Sequence, residues 1–234
     1  MLVTGVKTFQ TGLRFALLFS LLPTTSTNLL GKAPARAPAS ARVTISVYND
    51  AEVPADVLKL AENEASQVFR LAGIEVTWLN CRLPAVSEEA SRDCREAVFP
   101  EHLHLRIVRR SLGLKGETMG ISFQADDGSG CYADLFYEPM EQLHQSDGAD
   151  IASLLAHVAA HEIGHLLLGT NSHSTEGIMH AHWTAQELAL GKVGGLVFLE
   201  KESQRMKAKL ATAFQASKEA SLTAAAAVPA RTGD

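Results

Sequence analysis

A chain of 234 residues with 46% hydrophobic residues and a formal net charge of −5 is long enough to bury one good core. The slight acidity argues against nucleic acid or an anionic membrane as the main partner, because no cationic excess is present to neutralise phosphates. Charge alone leaves the substrate class open.

Lys7 and Arg14 precede an apolar run from Phe15 to Leu22, too short to cross a bilayer. Small residues and prolines follow, and either Ala33-Pro34-Ala35 or Ala39-Ser40-Ala41 offers a cleavage site. Residues 1–41 are therefore expected to be an export leader and signal peptide. The mature protein would then be secreted or sit in the periplasm or cell envelope, with no membrane contact beyond that signal. Of the three cysteines, Cys81 and Cys94 can close a short loop disulfide in an oxidising compartment, leaving Cys131 free or paired with another chain. Three unrelated thiols are the alternative, and no C-x-x-C spacing points to a structural zinc finger.

Val43 to Tyr48 alternates as a half-buried strand does, and Asn49-Asp50 breaks it. A helix is expected from about Pro54 to Leu71, with Val57, Leu58, Leu60, Ala61, Ala65, Val68 and Phe69 at helical spacing, ended by Ala72-Gly73. Ile74 to Leu79 reads as a second strand, so strand, helix and strand imply a parallel crossover. The segment from Cys81 to Cys94 is polar and reads as a surface loop. His102 to Val108 alternates again. Met119–Phe123 and Cys131–Tyr137, separated by the turn formers 126–130, read as neighbouring strands with one at the sheet edge. Ser146 to Asp150 offers cap residues for a helix from about Ile151 to Leu168. An irregular segment leads to His182. A helical region from about Thr184 to Phe214 follows, divided near Gly191 and Gly194-Gly195, and 216–234 is Ala-rich and reads as a disordered tail. The expectation is a leader (1–41), one α/β domain (42–215) and a tail (216–234).

His161-Glu162-Ile163-Gly164-His165 lies near the end of the apolar helix. Histidines four apart share one face, one turn apart, so both imidazoles can reach one cation. Zinc takes neutral imidazole at about 2.0–2.1 Å and keeps an open position when three protein groups bind it. Glu162 projects beside such a metal and suits the role of general base. His157, one turn earlier, reads as a packing residue. For the third ligand His173 is the first candidate, because Gly169 can take a positive φ and turn the chain back beneath the metal. Glu187 is the competing candidate; Glu176, His180 and His182 lie near and read as loop residues.

The stretch His161-Glu-Ile-Gly-His-Leu-Leu-Leu-Gly-Thr-Asn-Ser-His173, with Gly177-Ile-Met179 after it, resembles the metzincin superfamily of zinc peptidases. It departs from H-E-x-x-H-x-x-G-x-x-H in that glycine comes one residue late and the last histidine two. The resemblance implies His161, His165 and His173 as ligands of one zinc ion per chain, and Met179 as the residue of the turn beneath the site. It also implies a mixed, mostly parallel sheet with an antiparallel edge strand, packed against the active-site helix and a C-terminal helix. Glu162 would activate water for attack on a peptide carbonyl, making peptides or proteins the substrates, and an extended substrate would pair with the edge strand. Two other readings share these residues: a non-catalytic, zinc-stabilised binding protein, and a zinc hydrolase of a non-peptide amide. Glu162 argues against the first, since a structural zinc site closes with a fourth ligand and has no use for a free carboxylate.

Overall fold

The computed structural model describes residues 41–81, 88–96, 98–110, 118–184, 186–188 and 194–226, all within the unit Pro38–Asp234. The expected leader lies outside the described residues except for Ala41, which opens the first strand.

Alternation places Val43, Ile45 and Val47 of β1 (Ala41–Asn49) on one buried face. α1 (Ala55–Leu71) packs Ala61, Ala65, Val68 and Phe69 onto that face, and β2 (Ile74–Cys81) returns parallel to β1. β3 (His102–Val108) lies parallel on the other side of β1 and adds Leu103, Leu105 and Ile107 to the same core. β4 (Gly120–Phe123) pairs antiparallel with β5 (Tyr132–Phe136), and β5 pairs parallel with β3. The order β2-β1-β3-β5-β4 is the expected mixed, mostly parallel sheet with an antiparallel edge. The edge is β4, and the Tyr132–Phe136 strand is internal.

Helix α4 (Ile151–Leu168) packs across the core face against α1, β4 and β5. The Asp150 side chain caps it by accepting from the N–H groups of Ala152 and Ser153, each at 3.1 Å. The helix is apolar enough to cross a membrane, but 94% of it is buried inside the domain, as befits a core helix. Leu154, Leu155, Ile163, Leu166 and Leu167 are at most 2% exposed, and each such burial contributes about 1.5–3 kcal/mol. The helix that carries His161 and His165 is therefore held by the centre of the core.

The opposite face of the sheet is polar and aromatic. Tyr48, His104 and Tyr132 stack across β1, β3 and β5, and Ser46 Oγ lies 2.8 Å from His102 Nε2. The Cys94–Glu96 segment lies against this layer: Tyr48 donates its hydroxyl to the Cys94 carbonyl, and His104 Nε2 donates to the Glu96 carbonyl at 2.9 Å.

Several local expectations are corrected. The polar segment between the cysteines contains a helix, α2 (Glu88–Arg95), and the Cys81–Cys94 disulfide ties its last turn to the end of β2. Cys131 is free. The strand expected through Tyr137 stops at Phe136, and α3 (Tyr137–Asp147) follows. Pro139 is tolerated in its first turn, and Gly148 ends it at φ +68°. Ser146 and Asp147 therefore close α3, and the capping of α4 falls to Asp150. The C-terminal helix begins later than expected: between Thr184 and Glu200 the described helical residues are 186–188. It also ends later. α5 (Glu200–Ala226) continues past 215 through the Ala-rich stretch, because alanine has the highest helix propensity. Residues 227–234 lie outside the described residues.

Candidate metal centre

α4 presents His157, His161 and His165 along one face at successive turns. His161 Nδ1 lies 2.7 Å from the Ile178 carbonyl, and His165 Nδ1 lies 2.8 Å from the Thr170 carbonyl. A carbonyl can only accept, so each Nδ1 carries the hydrogen and each Nε2 is left with a bare lone pair. These two Nε2 atoms face each other at 3.0 Å. The His173 ring stacks on His161 at 5.2 Å between centroids and meets His165 edge-on at 4.9 Å. Ligand atoms of the three residues all lie within 4.8 Å of one another.

Gly169 makes this possible. It ends α4 at φ +67°, a conformation that β-carbon-bearing residues rarely adopt, and its N–H bonds the His165 carbonyl at 2.9 Å. The chain then doubles back, so the wider Gly169–His173 loop still delivers its histidine to the helix face. Two lone pairs at 3.0 Å repel unless a proton or a cation lies between them. Burial disfavours the proton: it pushes His161 down to about 4 and lowers His165 also. Tetrahedral zinc with bonds of about 2.0–2.1 Å holds its nitrogens roughly 3.3 Å apart, a few tenths of an ångström from this arrangement. The donor set therefore fits zinc, and the cluster fits a metzincin-like site of the H-E-x-x-H type.

Glu162 is 6% exposed and lies against β4. Burial pushes its carboxyl up to about 7, partly offset by a hydrogen bond from the Ser122 hydroxyl. A β-carbon on Gly120 would stand 2.7 Å from Glu162 Cγ and Oε1. Gly120→Ala is thus expected to push the carboxylate aside and lower turnover by about 100-fold while metal content holds. Activity and metal analysis check this, and unchanged turnover would contradict it. Beneath the helix, Met179 is 1% exposed, and a β-carbon on Gly164 would lie 2.6 Å from its Sδ. The methionine thus packs where the resemblance places it.

The other candidates are not members of the cluster. Glu187 forms a capping box with Thr184: its Oε2 accepts from the Thr184 N–H at 2.7 Å, and its own N–H donates to Thr184 Oγ1 at 3.2 Å. Its other oxygen lies 3.5 Å from His180 Nδ1. Glu176 and His182 are exposed. His157 donates from Nδ1 to the Ser153 carbonyl at 2.7 Å and meets Trp183 edge-on, as a packing residue does. Gly120, Ser122 and Trp183 were not legible as site residues. The one available signal was the pair of small residues Gly120 and Ser122 at alternate positions of an apolar strand, hence on one face.

Burial of the two groups acts on stability in opposite senses in metal-free protein. Between pH 4.5 and about 7 the folded state keeps a proton on Glu162 that the unfolded chain has lost, so this contribution falls as pH rises. Between about 4 and 6.5 the folded state lacks a proton on His161 that the unfolded chain carries, so that contribution rises. Glu162→Gln removes only the first. Thermal unfolding of chelator-treated protein should then show stability rising with pH over about 4.5–6.5 more steeply in the variant than in the parent. An equal or shallower slope would contradict these assignments.

An α/β domain with an H-E-x-x-H segment and a three-histidine cluster on and beside its core helix is thus defined. No protein-family model matches the chain, and no curated protein matches it in sequence. Among solved structures it is similar to a zinc-dependent peptidase from Methanocorpusculum labreanum, with 14% identity, a TM-score of 0.47, and coverage of 69% of this chain and 99% of that one. It is also similar to archaemetzincin from Methanopyrus kandleri, with 16% identity, a TM-score of 0.45, and coverage of 74% and 98%. Metalloproteinase-II from Bacteroides fragilis matches at 13% identity and a TM-score of 0.37, over 70% of this chain and 56% of that one.

Proposed function

We propose that the protein is a zinc metalloendopeptidase. The observation that supports this most is the convergence of His161, His165 and His173 beside the buried carboxylate of Glu162. A zinc ion held by the three imidazoles would acidify water and polarise a carbonyl. Glu162, made more basic by burial, takes the proton of the attacking water and returns it to the departing amine. Ser122 orients that carboxylate, and the flank of β4 away from β5 offers backbone N–H and C=O groups to an extended peptide.

The test is zinc content and hydrolysis of casein and a peptide library by the purified protein. One zinc per chain with peptide cleavage supports the reading. Full zinc with no hydrolysis supports the zinc-stabilised binding protein instead, and cleavage confined to non-peptide amides supports the alternative hydrolase.

Export belongs to the same proposal. It rests on the leader sequence, and the Cys81–Cys94 disulfide suits an oxidising compartment. Ala41 pairs with Ile74 in the sheet, which favours cleavage after Ala35 over cleavage after Ala41. Mass spectrometry of the mature protein is expected to find Arg36 as its first residue; a start at Met1 would contradict cleavage of the leader.

A further inference from the structure

From Thr170 to Met179 the described chain has neither helix nor strand, yet it carries the third histidine. Ser172 N–H donates to Thr170 Oγ1 at 3.1 Å, Ser174 N–H to the Met179 carbonyl at 2.9 Å, and His180 N–H, just beyond it, to the Gly177 carbonyl at 3.1 Å. Two further bonds tie it to the approach of α5. Ile178 N–H donates to the Val197 carbonyl at 2.9 Å, and the Ser174 hydroxyl donates to Glu202 Oε1. Glu202 Oε2 accepts from the Leu199 N–H at 2.8 Å.

Glu202 is 4% exposed and has no ion-pair partner among the described residues. A buried carboxylate without a counter-charge is costly to keep. The N-terminal end of α5 and the Leu199 N–H offset part of that cost. A capping role accounts for one oxygen only. The other reaches 28 residues back along the chain, to the residue that follows His173.

We propose that Glu202 and Ser174 form a strut that positions His173 for metal binding, with Glu202 a positioning residue acting through the Ser174 hydroxyl. The strut fixes the backbone next to the ligand at the point where the loop is wider than the common motif. The same segment orients the first ligand as well, because the carbonyl of Ile178 receives the His161 Nδ1–H. A displaced strut would therefore loosen the ligand set from its far side while leaving α4 intact. This rests on the metal-centre reading.

The test is Zn2+ affinity, by competition with a chromophoric chelator, together with the visible spectrum of the Co2+-loaded protein. The full chain is compared as wild type, Ser174→Ala, Ser174→Thr, Glu202→Ala and the double variant. Ser174→Ala should bind zinc about 10–100-fold more weakly and lose intensity in the Co2+ bands as the third imidazole gives way. Ser174→Thr keeps the hydroxyl and should restore both. Glu202→Ala should weaken binding too, and the double variant should bind no more weakly than Glu202→Ala alone, because the two residues act in series. If Glu202→Ala does not fold, the two Ser174 variants still decide. Wild-type affinity and spectrum in Ser174→Ala would overturn the strut while leaving the metal centre standing. No metal binding by the wild type would overturn both.

Discussion

Glu162→Gln is expected to lower turnover by about 10²–10⁴-fold, an increase of roughly 3–5 kcal/mol in the barrier, while the protein keeps its zinc. The side chain is 6% exposed between α4 and β4, its neighbour Ser122 hydrogen-bonds it, and Gly120 leaves space for it. Glutamine fills the same volume and can accept the same hydrogen bond, so the fold and the three imidazoles are undisturbed. What the amide lacks is basicity. Burial raises the proton affinity of the carboxyl, which suits it to take a proton from water. Turnover and metal content measured on one preparation separate this from a structural effect. Loss of zinc in the variant would make Glu162 a ligand, and full turnover would remove it from the chemistry.

His173→Ala is expected to cost the site most of its metal, and Glu187→Ala none. Structural zinc sites are worth about 10–16 kcal/mol in all, so one imidazole carries roughly 3–5 kcal/mol and its loss weakens binding by about 10²–10⁴-fold. His173 lies against both helix histidines. Glu187 is occupied by the Thr184 capping box and by His180. Its removal should cost only the cap and leave the zinc content unchanged. Zinc measured after dialysis reads both variants. Retention of zinc by His173→Ala with its loss from Glu187→Ala would reverse the assignment.

Much of the scaffold was legible because local rules and tertiary packing agree. Alternation marked β1 and β3, and helical spacing marked the buried face of α1. The four-residue spacing of His161 and His165 follows from helix geometry alone. His173 was legible only as the residue a turn at Gly169 could return, and its placement depends on loop contacts that no periodicity records. α3 was missed because Ser146, Asp147 and Gly148 suit the end of one helix as well as the start of the next. The Thr184-x-x-Glu187 capping box was written in the sequence, and it explains why Glu187 is not free to reach the metal. Gly120 and Ser122 were recognisable as strand residues. Their contact with Glu162 arises where the sheet edge meets α4, which is a tertiary fact. Glu202 likewise reads as an ordinary first-turn acid until the fold brings Ser174 to it.

The proposed function requires His161, His165 and His173 to hold one zinc ion. Anomalous diffraction at the zinc edge from crystals of the zinc-loaded protein tests it most directly. A single peak is expected, bonded to Nε2 of His161, Nε2 of His165 and a ring nitrogen of His173, with the Glu162 carboxylate beside it and not bonded to it. A peak bonded to Glu187 in place of His173, or no peak among the three histidines, would contradict it.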